Sequence, residues 1–371
     1  MAFRIVVIGG YGNFGGRICR ALSTEKDVWI GVAGRNHLHA TAFVRELGST
    51  NATCEAVVID HDTARFPSAL AALRPDLVIH ASGPFQAQSY HVAEAAVDAG
   101  AHYIDLADGR AFVAGIGALD GAAHERGVLV TSGASTLPAV SSAVIERLAD
   151  GLPRIEHIEI GIAPGQSVTR GKATLASILT YCGQPFEEWS EGRWKKVFGW
   201  QGLRRIEYAE LGSRWAARCD VPDLQLLPGH HRFLQSARFD ASLELAVTHF
   251  GLWALAWLVR VKLVRDPAAM ADRLFSMARW LDRFGSDVGG MRVMVAGQRA
   301  DGTPGRNTWH LTARDGDGPS IPCIPAIVIA RRLARGESLG AGASPCVGMM
   351  TLDEFSDATC DLAITWRIVR E

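Results

Sequence analysis

Residues Phe3-Arg4-Ile5-Val6-Val7-Ile8 run directly into Gly9-Gly10-Tyr11-Gly12-Asn13-Phe14-Gly15-Gly16, and the chain continues as Arg17-Ile18-Cys19-Arg20-Ala21-Leu22. The first six residues are apolar except for Arg4 and rich in β-branched types, as in a strand buried on both faces. The last six read as the start of a helix. A strand, a glycine turn and a helix in that order form the dinucleotide-binding fingerprint. The turn must be tight, the backbone must approach a pyrophosphate, and the helix start supplies N–H groups at its positive dipole end. Two registers fit, Gly10-x-Gly12-x-x-Gly15 and Gly9-x-x-Gly12-x-x-Gly15; the second begins directly after the strand and is preferred. The candidate cofactor loop is therefore Gly9, Gly10, Tyr11, Gly12, Asn13, Phe14 and Gly15. A glycine-rich turn holding no ligand is the alternative.

The second strand, Val28-Trp29-Ile30-Gly31-Val32-Ala33, ends in Gly34-Arg35-Asn36. An acid at this tip would hydrogen-bond a ribose 2′-hydroxyl, whereas an Arg accommodates a 2′-phosphate. There is no acid here, and Arg35 can grip a phosphate and stack on a base. NADP is the expected cofactor. A third strand, Cys54 to Asp60, delivers Asp60 to the adenine side, unless that carboxylate caps the helical segment beginning near Thr63. Asp76 to His80 is the fourth strand. It leads into Ser82-Gly83-Pro84-Phe85, a candidate cofactor loop at the carboxyl edge, where ligands bind in open α/β sheets. His80 reads as a packed strand residue. A fifth, short strand within Ala101 to Gly109 brings Asp105 and Asp108 to the same edge, as acid or base candidates or as helix caps. A sixth, Val128 to Gly133, completes six alternations of strand and helix. That pattern means an α/β fold with a doubly wound parallel sheet of Rossmann type.

Gly9-Gly10-Tyr11-Gly12-Asn13-Phe14-Gly15, Ser82-Gly83-Pro84-Phe85 and Gly100-Ala101-His102-Tyr103-Ile104-Asp105 together resemble the NADP-binding half of the saccharopine dehydrogenase-like oxidoreductases. The resemblance covers about the first third of the chain. It implies a Rossmann domain, an inserted α+β domain that dimerises, and nicotinamide chemistry between them. Relatives often follow the strand-end Asp with x-x-Gly-Glu; here Leu106-Ala107-Asp108-Gly109 stands in that place.

The chain has 371 residues, so two domains are expected. The reading assigns residues 1–134 to an NADP-binding domain, 135–350 to an α+β substrate and dimerisation domain, and 351–371 to a closing segment. In the second domain, Pro164 to Lys172 places Arg170 and Lys172 before a helix, where they could hold a substrate carboxylate or serve as surface cations. Residues 186–232 read as hairpins, and Gly229-His230-His231 lacks partners spaced to complete a metal site. No metal is expected. Residues 243–260 and 267–284 read as a helical hairpin. The uninterrupted apolar core of the first, Phe250 to Val259, is about half the ~20 residues a membrane span needs. Trp253, Trp257, Arg260 and Lys262 leave peripheral membrane contact as a minor reading.

A formal net charge of −1 gives no support for a nucleic-acid partner, which would want a basic patch. Seven scattered cysteines, an odd number without a C-x-x-C pair, argue against a disulfide framework and a structural zinc. With the first strand beginning at once, a cytoplasmic location is expected. The function expected is hydride transfer at a C–N or C=O centre of a small, carboxylate-bearing substrate by an NADP-dependent homodimer. The Tyr-x-x-x-Lys pair of short-chain dehydrogenases is absent after the fourth strand. A non-catalytic NADP-binding sensor or assembly module is the first alternative, and a membrane-associated reductase acting on a lipid is the second.

Overall fold

The computed structural model describes residues 2–86, 88–168 and 172–371. The chain divides into two compact units. Met1–Val140 with Ser320–Ala358 forms the first, and Ser141–Pro319 with Thr359–Glu371 the second. The first unit thus runs past the expected boundary at Ala134 and takes back a segment that sequence reading had assigned to the second domain.

Among the described residues, the first unit holds a seven-stranded parallel sheet. Its strands are β1 (Phe3–Ile8), β2 (Val28–Gly34), β3 (Thr53–Val58), β4 (Leu77–His80), β5 (His102–Asp105), β6 (Leu129–Ser132) and a last one at Gly342–Pro345. The spatial order is β3-β2-β1-β4-β5-β6, with Gly342–Pro345 beyond β6. Strand order reverses between β1 and β4, so a crevice opens there at the carboxyl ends. β2 and β4 are buried along their whole length, which is why they read as unbroken apolar runs.

Alternate residues of β1 feed two cores. Ile5 and Val7 pack on one face with Ile18 and Leu22 of helix α1 (Asn13–Leu22) and with Ile327 and Ile329 of helix Ile324–Ala334. Val6 and Ile8 pack on the other face with Phe66, Leu70, Val92 and Ala96. Helix Ile324–Ala334 lies along α1, and Arg331 Nε donates to Glu25 at 2.8 Å. This contact explains why residues 320–358 return to the first unit. The strand Gly342–Pro345 is made of small residues with no apolar period. Its register is held by the backbone, and the Ala343 N–H donates to Asp120 Oδ1 at 2.8 Å. Between β5 and β6 the chain forms two short α-helices, Arg110–Gly115 and Asp120–Arg126, joined by a 3₁₀ turn.

The second unit is built on a nine-stranded sheet among its described residues. The main path runs Arg204–Tyr208, Gly212–Arg218, Ser236–Ser242, Arg154–Ala163, Gly289–Gln298, Pro304–Ala313 and Ile364–Arg370. The hairpin Pro185–Ser190 with Arg193–Phe198 joins at Ser236–Ser242. Only the pair Ser236–Ser242 with Arg154–Ala163 is parallel along this path. His230 ends a short helix, Asp223–His230, rather than lying in a hairpin. The tryptophan-rich helix spans Ala246–Arg260, with His249, Leu255, Ala256 and Val259 buried. Among the described residues no helix is long and apolar enough to cross a membrane.

Candidate active site at the carboxyl edge of the first sheet

The glycine loop leaves β1 through Gly9, whose φ of +78° is a left-handed conformation that suits glycine. The N–H groups of Gly9 and Gly10 both donate to the Ala33 carbonyl, at 2.9 and 3.1 Å, fastening the loop to β2. The Gly12 N–H returns to the Gly9 carbonyl at 2.8 Å, and Gly12 is the N-cap of α1. A Cβ on Gly15 would stand 2.2 Å from the Gly9 carbonyl oxygen. The helix start therefore closes on the turn as only glycine allows, which is the cradle a pyrophosphate needs. Tyr11 reaches over the end of β2, where its hydroxyl accepts the Asn36 N–H at 3.0 Å.

Arg35 is exposed at the β2 tip, next to Gly34, with no carboxylate on the strand. This arrangement fits a 2′-phosphate. Asp60 lies past the end of β3 in a turn. Its Oδ1 accepts the Asp62 N–H at 3.1 Å and its carbonyl accepts from the Thr63 hydroxyl at 2.9 Å. The following helix, Phe66–Ala72, has Arg65 as its N-cap, so Asp60 orders the turn rather than the helix.

Beyond β4, the Gln88 side-chain amide donates to the carbonyls of Ser82 and Pro84, each at 2.9 Å, and fixes the Ser82-Gly83-Pro84-Phe85 loop. Phe85 is buried against His80 and Phe112, with ring centroids 5.0 and 5.5 Å away. The Gly9 turn abuts this loop, since a Cβ there would lie 3.2 Å from the Ala81 carbonyl carbon.

The two acids from β5 are brought to the same edge and into different environments. Asp105 is fully buried. Its Oδ1 accepts from the Ala107 N–H (2.9 Å), the Ser132 hydroxyl (2.9 Å) and the Gly133 N–H (2.8 Å). Burial pushes its carboxyl up to about 6, against the lowering by those donors and by Tyr103. Asp108 is exposed, and its Oδ1 accepts from Gln86 Nε2 at 3.0 Å. Asp108 thus faces solvent beside the end of the Ser82-Gly83-Pro84-Phe85 loop.

Histidines gather at this edge as well. His80 is buried, with Nδ1 3.1 Å from the Tyr103 hydroxyl, and burial with nearby His61 and His91 pulls its pKa down to about 3. His61 and His80 rings meet edge-on at 5.4 Å, and His61 and His91 rings lie 5.8 Å apart. Sequence reading passed over His61 and His91. They are thirty residues apart, and only the sheet brings the end of β3 beside the helix that follows β4.

In the second unit, Arg170 lies outside the described residues. Lys172 is the first residue of helix Lys172–Tyr181.

Residues 5–147 match the family model of the saccharopine dehydrogenase NADP binding domain. Among solved structures, the fold is similar to that of saccharopine dehydrogenase (L-Glu forming) from Saccharomyces cerevisiae. The TM-score is 0.67 at 13% identity, over 99% of this chain and 100% of that one. The amine dehydrogenase from Mycobacterium smegmatis gives a TM-score of 0.47 at 10% identity, over 94% of this chain and 95% of that one. No curated protein matches this chain by sequence. The glycine cradle, the strand order and the matched domain agree: residues 5–147 form a domain of the saccharopine dehydrogenase NADP binding type.

Proposed function

We propose that the chain is an NADP-dependent oxidoreductase acting at a C–N or C=O centre of a small substrate that carries a carboxylate. The observation that carries this reading is the glycine cradle at the strand-order reversal, with Arg35 and no acid at the β2 tip. When bound, the nicotinamide would accept or deliver hydride. The protein's share is orientation. Gly9 to Gly15 would hold the pyrophosphate, Arg35 the 2′-phosphate, and the Gln88-braced loop the ribose side. Asp108, exposed beside Gln86, is assigned to hold a substrate amine or order a water. Buried Asp105 is assigned to fix the strand tips around it, as a positioning residue. Arg170 and Lys172 are assigned to the substrate carboxylate. A homodimeric, cytoplasmic enzyme is part of the same reading, and light scattering tests the dimer.

Titration with NADPH and NADH by fluorescence comes first, and binding of neither would refute the proposal. NADPH consumption is then followed across a panel of keto acids, with and without amines. Binding without turnover of any of them favours the sensor or assembly role. A second reading, contact with a lipid surface, is supported by the exposed Val247, Phe250, Trp257 and Leu258 of helix Ala246–Arg260. Flotation with anionic liposomes tests it, and protein left in the soluble fraction counts against it.

A further inference from the structure

We propose that His61, Asp62 and His91 form a binding site for a divalent transition-metal ion of the zinc type at the carboxyl edge of the first sheet. A ligand atom from each of the three lies within 4.8 Å of the others. His61 and Asp62 stand in the turn after β3, and His91 is the first residue of helix His91–Asp98, which follows β4. Ligands therefore come from two elements that the sheet holds side by side.

The orientation of the rings is what a metal site requires. A ligating imidazole commonly gives its other nitrogen to an oxygen, which fixes the ring and its tautomer. His61 Nε2 lies 3.4 Å from Ser82 Oγ, while its Nδ1 is buried, forms no hydrogen bond, and sits 3.2 Å from Asp62 Oδ1. That nitrogen has been taken out of water without a hydrogen bond, a cost that a bound ion would offset. His91 Nε2 lies 2.8 Å from the His61 carbonyl oxygen, and its Nδ1 lies 3.0 Å from Ser89 Oγ. With Nε2–H kept on the carbonyl, His91 would ligate through Nδ1 in place of its Ser89 contact.

The donor set selects the ion. Two imidazoles and one carboxylate suit zinc, cobalt, nickel or copper over magnesium or calcium, which favour oxygen. Ligand bonds of about 2.0–2.2 Å in a tetrahedron bring donor atoms to roughly 3.4 Å of one another. Asp62 Oδ1 is already 3.2 Å from His61 Nδ1, and closing from a spread of up to 4.8 Å asks for about 1.4 Å, shared between His91 and the exposed Asp62 side chain. Three protein ligands leave a fourth position open for water or an exogenous group. Through His61 and Ser82 the ion would also brace the Ser82-Gly83-Pro84-Phe85 loop.

The test uses full-length, tag-free, chelator-washed protein titrated with Zn²⁺ against a chromophoric chelator, and separately with Co²⁺. One equivalent should bind, and Co²⁺ should give the visible absorption of a four- or five-coordinate centre. His61→Ala and His91→Ala should each weaken Zn²⁺ by about 100-fold, and Asp62→Asn by about tenfold. Asp62 is exposed, so its variant reports without endangering the fold. A His230→Ala/His231→Ala protein, altered at the other histidine pair, should bind as the parent does. Absence of stoichiometric binding to the parent, or a loss that follows His230 and His231 instead, overturns the site.

Discussion

Asp105 Oδ1 accepts the Ser132 hydroxyl at 2.9 Å, and this bond ties the tip of β5 to the tip of β6. The same oxygen holds the N–H groups of Ala107 and Gly133, so one buried atom sets the floor of the crevice. Replacing Asp105 with Ala leaves three buried donors unpaired, whereas Asn keeps an acceptor in place. Asp105→Ala should lose about 3 kcal/mol more stability than Asp105→Asn. Hydrogen exchange in peptides covering residues 102–134 measures the difference.

Asp105 also makes a pH prediction. Burial raises its carboxyl from the ordinary 3.8 to about 6. Between those values the unfolded chain has released the proton and the folded chain still binds it, so this group's contribution to stability falls as pH rises. Below the window both states are protonated, and above it the loss is complete, at about 3 kcal/mol. Relative to Asp105→Asn, the parent should therefore weaken from pH 4 to pH 6 and then level off. A gap between the two proteins that stays constant across that range, in denaturant midpoints, would contradict the buried carboxylate.

Gly15 is the tightest point of the cradle, since a Cβ there would meet the Gly9 carbonyl oxygen at 2.2 Å. Gly15→Ala must push the helix start off the turn, a displacement costing about 1–3 kcal/mol at the binding loop. NADPH affinity should drop by about 10- to 100-fold, read by fluorescence titration.

Arg35 is expected to separate the two cofactors. A guanidinium on a 2′-phosphate contributes about 1.5–3 kcal/mol through charge-assisted hydrogen bonds, and NADH has no such phosphate. Arg35→Ala should raise the NADPH dissociation constant by about 10- to 100-fold and change that for NADH little. Equal losses for both would remove the 2′-phosphate assignment.

Much of the first unit could be read in the sequence, for a physical reason. Strands buried on both faces leave runs without a polar side chain and rich in β-branched residues, such as Val28–Val32, and helices between them repeat the pattern. The strand Gly342–Pro345 left no such trace, because its place depends on backbone pairing with β6 and on Asp120 some 220 residues earlier. The same holds for the domain boundary: helix Ile324–Ala334 looks like any apolar helix until α1 is seen beside it. At the site, glycines and strand tips were legible because a tight turn and a carboxyl edge are local facts. The difference between Asp105 and Asp108 was not, since burial of one and exposure of the other arises from β6 and the Gln86 loop. The histidine pair was invisible for the same reason.

In the second unit, fully buried Asp240 holds two guanidiniums. Arg204 Nε donates to its Oδ2 at 2.8 Å, and Arg238 donates to both carboxylate oxygens at 2.8 and 2.9 Å. Removing the acid takes a carboxylate from both cations and leaves Arg204 with Glu159 at 2.9 Å and Arg238 with the Gly202 carbonyl at 2.9 Å. Asp240→Ala should cost about 3 kcal/mol, with Asp240→Asn recovering part of it. Tryptophan emission is a suitable probe, because nine of the ten tryptophans, all but Trp29, lie in this unit.

Asp108 is the prediction that bears on chemistry. Its carboxylate is exposed, accepts from Gln86 Nε2, and lies beside the Ser82-Gly83-Pro84-Phe85 loop rather than in it. Removing it should leave NADPH affinity within about twofold, since neither the cradle nor Arg35 is touched. If Asp108 orders a water or a substrate amine during hydride transfer, kcat should fall by about 10²- to 10⁴-fold in Asp108→Ala. Gln86→Ala removes the Gln86 hydrogen bond and keeps the carboxylate, so its effect should be smaller and concentrated in KM. The comparison requires a turnover assay with the substrate found by the panel described above. A drop in NADPH affinity matching the drop in kcat would make Asp108 a cofactor-loop brace instead of a catalytic residue.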